Sequence, residues 1–340
     1  MDSIRKLKVT KSDVGHYLLE WDSDVFKGEL HVQVSEDAIN FNGEPIVLTN
    51  EGESKGLSSV SVPDGDKRFY FRLLDSYGLS ITCAERALRF AGGINFRDIG
   101  GYATADGRRV NWSRIFRSGH LSNLTGSDMR VFEKLNIRRV CDFRLSEERE
   151  KENARLPNNP ELVSLEIMPG AGDPLYFHKL FQKTEQVEEI VVAMGTMMSY
   201  LISDNVESYR NFFNELLSHG GSGALLVNCS AGKERTGVGV ALLLRALGVP
   251  QETVLYDFML SKIYFPAELE VDRVLKKYGV SNEEGKGAKL IWPLLETRES
   301  YLQAAFETID SVYGSLELFL ESCLGLDKTR LGELKRLYTT

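Results

Sequence analysis

The chain has 340 residues, a length that suits two domains better than one, and the composition of an ordinary soluble globular protein. Its net charge of −8 excludes broad electrostatic capture of nucleic acid or of an anionic membrane, so an anionic ligand has to be taken by a local pocket. The cysteines Cys83, Cys141, Cys229 and Cys323 form no CxxC pair and no metal-ligand spacing, which suits a reducing compartment.

Residues 1–87 read as strands. Short alternating runs recur at Tyr17–Trp21, Leu30–Val34, Phe69–Leu73 and Leu79–Thr82, with turn signals at Asn42-Gly43 and Asp64-Gly65 between them. No helical period interrupts them, so a small β-sandwich is expected, with Trp21, Phe69, Tyr70 and Phe71 in its core. Residues 88–340 change to α/β character. Thr125 caps a helix with Asp128 near its N3 position, and Ile137–Phe143 follows as a strand. A helical stretch runs from about Glu185 to His219, broken near Ser203-Asp204-Asn205. Ala224–Val227 is then a buried strand, and a helix is expected from Thr236 to Leu247. Apolar stripes at helical spacing fill the remainder, among them Leu302, Phe306, Ile309 and Tyr313. No segment is long and apolar enough to span a bilayer, and no signal peptide follows Met1, so a cytoplasmic location is expected.

The chemistry concentrates between that buried strand and its helix, in Asn228-Cys229-Ser230-Ala231-Gly232-Lys233-Glu234-Arg235-Thr236. A phosphate monoester carries nearly two negative charges and needs several donors converging on one point. Backbone N–H groups of a tight loop over Ser230, Ala231, Gly232, Lys233 and Glu234 form such a nest, and the following helix adds its dipole. Gly232 supplies backbone angles closed to other residues. Arg235 grips two phosphate oxygens with a fork that never deprotonates. The same positive field favours the thiolate of Cys229, the nucleophile for attack on phosphorus. Thr236 offers a hydroxyl for hydrolysis of the resulting phosphocysteine. Two carboxyls compete for the role of general acid: Glu234 inside the loop, and Asp142 at the end of the strand Val140-Cys141-Asp142. Cys141 reads as a small buried apolar residue and His120 as structural.

With Gly92-Gly93-Ile94-Asn95-Phe96-Arg97-Asp98-Ile99-Gly100-Gly101-Tyr102, the loop resembles the bacterial tyrosine/lipid phosphatases of the atypical dual-specificity class. Ile115-Phe116-Arg117-Ser118-Gly119, Asp142-Phe143-Arg144 with Glu147 and Glu148, and Tyr301–Phe306 through Ser315 fit the same resemblance, which covers about residues 88–340. The resemblance implies a cysteine-phosphatase-like central sheet flanked by helices, preceded here by the small all-β sandwich-like domain. It also implies metal- and cofactor-independent hydrolysis of phosphotyrosine and often of phosphoinositides. It makes Cys229 the nucleophile and Arg235 the clamp, while Glu234 matches the family's in-loop acidic position and Asp142 a second aspartate of its pattern. Lys233 matches a lysine shared with phosphoinositide phosphatases, a charge that suits a ring with more than one phosphate. The sequence departs from the family at Asn228, where histidine is usual, and at Glu234, where aspartate is usual.

The expected function is therefore phosphomonoester hydrolysis on a phosphorylated protein or phosphoinositide. Arg97, Asp98 and Arg117 are expected to buttress the loop, with Asn228 bracing it from within. The alternative is a non-catalytic module that uses the same cradle to hold phosphorylated ligands.

Overall fold

The computed structural model describes residues 7–13, 15–22, 26–49, 55–62, 67–154, 156–170 and 175–340. The turn expected at Asp64-Gly65 lies outside them. Seven strands come first among the described residues: β1 (Leu7–Asp13), β2 (His16–Asp22), β3 (Leu30–Ser35), β4 (Ile46–Thr49), β5 (Lys55–Ser61), β6 (Tyr70–Asp75) and β7 (Ser80–Ala84). They form two antiparallel sheets, ordered β1-β2-β5 and β4-β3-β6-β7. Side chains alternate across a strand, so Tyr17, Leu19 and Trp21 of the first sheet meet Leu30, Val32, Phe71 and Leu73 of the second in one core. Trp21 lies over Gly56, its cross-strand neighbour, where a Cβ would stand 1.9 Å from the indole. This is the sandwich that the alternating runs predict.

The second sheet system contains β8 (Arg97–Asp98), β9 (Ile115–Ser118), β10 (Ile137–Asp142), β11 (Glu161–Ser164) and β12 (Ala224–Asn228). Its order is β11-β10-β12-β9-β8, parallel except for β8. Around it lie α1 (Gly126–Lys134), α2 (Ser146–Lys151), α3 (Tyr176–Phe181), α4 (Val187–Ser203), α5 (Val206–His219), α6 (Glu234–Ala246) and α7 (Gln251–Met259). These are followed by α8 (Ser261–Tyr264), α9 (Val271–Tyr278), α10 (Lys286–Leu295), α11 (Glu299–Tyr313), α12 (Leu316–Leu318) and α13 (Lys328–Tyr338). The expected capping box at Thr125 is formed: Asp128 N donates to Thr125 Oγ1 at 3.2 Å, and Thr125 N donates to Asp128 Oδ2 at 2.9 Å. The break between α4 and α5 falls at Asp204-Asn205, as expected.

Strand β12 is buried along its whole length, which its unbroken apolar run requires at the centre of a parallel sheet. Leu225 and Val227 face a core shared with Met198, Phe212, Val240 and Leu302. Ala224 and Leu226 face the opposite core with Phe116, Phe132 and Leu135. Each fully buried aliphatic side chain there contributes about 1.5–3 kcal/mol. Ser118, Asp142 and Asn228 lie in register at the carboxyl edge of the sheet, the edge where such sheets place their ligands.

Candidate active site

Strand β12 ends at Asn228 and α6 begins at Glu234, earlier than the expected Thr236. Glu234 and Arg235 therefore occupy the first helical turn, and Cys229 to Lys233 form the loop. Cys229 is 2% exposed, and its Sγ accepts the Gly232 N–H at 3.3 Å. That bond needs the left-handed backbone of Gly232, φ +68. A Cβ there would stand 2.5 Å from the backbone of Ser118 and Gly119, so only glycine fits.

Arg235 is held end-on by Glu148. Its Nη1 donates to Oε2 at 2.7 Å and its Nη2 to Oε1 at 2.9 Å. Nη2 also reaches Ser230 Oγ at 3.2 Å, and Ser230 Oγ donates to Glu148 Oε1 at 2.7 Å. Burial works against the Glu148 carboxylate, but the hydrogen bonds and charge of Arg235 outweigh it and hold the carboxyl well below its usual range. Burial likewise opposes the charge of Arg235, and Glu148 more than restores it. The sequence motif carries Glu148 without assigning it a role. It stands 87 residues from Arg235 in the chain, and no local pattern announces the pair.

The far side of the loop hangs on the Gly232 carbonyl. It accepts Asn95 Nδ2 at 2.9 Å and Arg117 Nη2 at 2.8 Å. Arg117 Nη1 in turn donates to Asp257 Oδ2 at 2.6 Å, and Tyr102 Oη donates to Asp257 Oδ1 at 2.8 Å. Arg97 donates to Asn95 Oδ1 and, at 3.0 Å, to the Asp257 carbonyl. Burial opposes the charge on Asp257, but Arg117, then Arg97, keep its carboxyl below the ordinary range. Arg117 thus meets the loop directly and Arg97 only through Asn95. Asn95 and Asp257 complete the brace and were not foreseen. Asn95 has a positive φ of 54, which asparagine tolerates better than other side chains, and this is the trace that the Gly-Gly-Ile-Asn turn leaves in sequence.

Two expectations change. Asp98 does not touch the loop: it is fully buried against Arg68 of the sandwich, at 2.7 Å, and against the backbone N–H of Gly100 and Ser113. Its side chain leaves β8 on the face opposite to Arg97. Lys233 is no free charge at the pocket floor. Its Nζ donates to the carbonyls of Leu294, Leu295 and Glu296 at 2.9, 2.7 and 3.0 Å, which uses all three ammonium donors. Burial lowers its pKa, against the nearby Glu234. Asn228 is buried with Oδ1 unpartnered among the described residues, and Thr236 Oγ1 is in the same condition.

The two carboxyl candidates separate. Asp142 is bonded to Arg144 through Nε at 3.0 Å and Nη2 at 2.7 Å, and accepts the Arg144 N–H at 2.9 Å. It does not line the cavity beside Cys229. Glu234 does, together with Ser230, Ala231, Glu148 and Arg235. This cavity measures about 510 Å³. Besides the loop, its lining includes the apolar side chains of Met168, Phe177, Met194, Met197 and Leu201, and Arg273 and Lys277 of α9. Cys141 is buried and its thiol is pushed far up by burial, as suits an inert apolar residue. His120 donates its backbone N–H to Ser230 O at 3.0 Å and is structural.

A sequence profile described as "Tyrosine phosphatase family" matches residues 88–340. The chain belongs to the tyrosine phosphatase family. A protein of Cupriavidus necator, whose name of tyrosine-protein phosphatase is itself provisional, is 31% identical over 240 residues, covering 70% of this chain and 84% of its own. The triple specificity protein phosphatase PtpB of Mycobacterium tuberculosis is 27% identical over 271 residues, covering 72% and 96%. Among solved structures, TpbA of P. aeruginosa overlaps 55% of this chain and 96% of its own at 13% identity and a TM-score of 0.28, too loose a likeness to carry an argument. The chain is an enzyme of the protein-tyrosine and dual-specificity type, and its substrate is phosphorylated. No helix of the described residues is long and apolar enough to cross a membrane.

Proposed function

We propose that residues 88–340 form the catalytic domain and that it hydrolyses phosphotyrosine through a phosphocysteine intermediate, without a metal ion. The observation that carries this is the convergence of Cys229, with Gly232 N–H on its sulfur, and a carboxylate-gripped Arg235 in one cavity. The Cys229 thiolate donates an electron pair to phosphorus while Arg235 and the loop amides hold the equatorial oxygens. The bond from phosphorus to the leaving oxygen breaks, and that oxygen takes a proton from Glu234. Water then attacks the phosphocysteine, Glu234 accepts its proton, and the phosphorus–sulfur bond returns its electrons to the thiolate.

Glu234 is favoured over Asp142 because Glu234 lines the cavity and Asp142 is committed to Arg144. Phosphotyrosine is favoured over a multiply phosphorylated inositol ring for two reasons. Apolar side chains make up much of the cavity lining, which suits an aromatic ring, and the Lys233 ammonium has no donor left for a second phosphate.

The test is phosphate release in chelator and reductant from a phosphotyrosine peptide, a phosphoserine peptide and mono- and polyphosphorylated inositides. Release from the phosphotyrosine peptide that vanishes in Cys229→Ser is expected. Loss of activity in chelator, or a preference for a polyphosphorylated inositide, overturns the metal-free mechanism or the substrate respectively.

A further inference from the structure

We infer that Arg68, in the N-terminal sandwich, is a positioning residue for the phosphate loop, so that the sandwich is part of the catalytic unit. This rests on the phosphatase reading of the loop. Arg68 precedes β6, and its guanidinium crosses into the α/β part. Nη1 donates to Asp98 Oδ2 at 2.7 Å and to Ser113 Oγ at 3.1 Å, and Nη2 donates to the Glu85 carbonyl at 3.2 Å. The group is stacked between the rings of Tyr70, Phe116 and Trp112, at 5.1, 5.5 and 5.8 Å. The single bond to Asp98 is charge-assisted, and the two other bonds and the rings hold the guanidinium that makes it in one orientation.

The partner matters because of what lies next to it. Strand β8 has two residues, and their side chains leave on opposite faces. Asp98 is pinned to Arg68. Arg97 holds Asn95, whose amide carries the Gly232 carbonyl. A shift or roll of Asp98 is therefore a shift of Arg97 and of the loop brace. A second route runs beside it. Arg86, in the connection after β7, donates to the Asp98 carbonyl at 2.7 Å and lies 4.0 Å over the Tyr102 ring. Tyr102 holds Asp257, which holds Arg117, which holds Gly232. Both routes start at the face that the sandwich covers and end on the carbonyl behind the Cys229 hydrogen bond. The cluster around Arg68 thus does more than glue two units together.

The experiment uses the full chain with Arg68→Met, Arg68→Lys, Asn95→Ala and the Arg68→Met/Asn95→Ala double variant, assayed on a small aryl phosphate well below the melting temperature. Sub-ångström misplacement of a reacting group lowers kcat by about tenfold. Arg68→Met is expected to show this in kcat, with KM little changed. Arg68→Lys, which keeps a cation on Asp98, is expected to recover part of it. The double variant is expected to be no slower than the slower single variant, because both act through one brace. A lowered melting temperature with unchanged kcat makes Arg68 a stabilising residue only and overturns the inference. So do Arg68 and Asn95 effects that multiply. If Arg68→Met does not fold, the comparison of Arg68→Lys with wild type decides on the same criteria. If the wild type turns over no phosphate ester, the phosphatase reading fails. Loop geometry is then followed by vanadate protection of Cys229 from iodoacetamide, for which Arg68→Met is expected to need about tenfold more vanadate; equal protection overturns the inference.

Discussion

Replacing Glu148 with glutamine tests the grip on the clamp arginine. The carboxylate takes two N–H donors of Arg235, at 2.7 and 2.9 Å, and the Ser230 hydroxyl at 2.7 Å. Glutamine keeps one acceptor oxygen and presents an NH2 where the other stood, so one Arg235 bond and the charge pairing are lost. A hydrogen bond to a charged group contributes about 1.5–3 kcal/mol. If about 2 kcal/mol of this is felt where Arg235 meets the transferring phosphoryl group, kcat/KM falls by about 30-fold. The acid limb of stability changes too. The folded-state pKa of Glu148 is depressed, so its contribution is present above the unfolded value of about 4.3 and is lost as pH falls through the folded value. Glu148→Gln removes that component, and its melting temperature should depend less on pH below about 4. The assays are steady-state hydrolysis of an aryl phosphate and melting across pH. A kcat/KM within twofold of wild type refutes the reasoning. A rise would show that Glu148 competes with phosphate for Arg235 instead of placing it.

Three further outcomes are expected. Gly232→Ala should abolish turnover, measured with the protein still folded by circular dichroism, because the added Cβ meets the Ser118–Gly119 backbone at 2.5 Å and φ +68 is strained for alanine. Glu234→Gln should slow esters of poor leaving groups by about 100-fold and good ones much less, while Asp142→Asn should lose stability without that dependence on the leaving group; a leaving-group effect confined to Asp142→Asn reverses the assignment. Lys233→Met should lower the melting temperature by freeing three carbonyls at the end of α10, with the ratio of rates on mono- and polyphosphorylated substrates unchanged.

The parts of this fold that were legible in sequence are those whose causes are local. The period-2 runs before residue 88, the Thr125–Asp128 capping box and the buried run of β12 each declare themselves within a few residues. The loop was legible for the same reason: strand, glycine, arginine and helix start lie within one turn of chain. What escaped was pairing at a distance. Asp257 reaches Arg117 across 140 residues, and Glu148 reaches Arg235 across 87. Asp98 sits in a motif that points to the loop, yet its partner comes from the sandwich, because neighbouring residues on a strand face opposite ways. Lys233 misled for a related reason: the sequence gives the type of a loop residue but not the direction of its side chain.

The bonds of Lys233 join the loop to the end of α10 at a single ammonium. Leu294 and Leu295, whose carbonyls it holds, themselves line the cavity beside Cys229. Loop and cavity lining are riveted together at this point, and disturbance of one is transmitted to the other. A catalogue that sorts phosphatases by the letters of the loop would file this chain with the inositide enzymes on the strength of a lysine whose task here is carpentry.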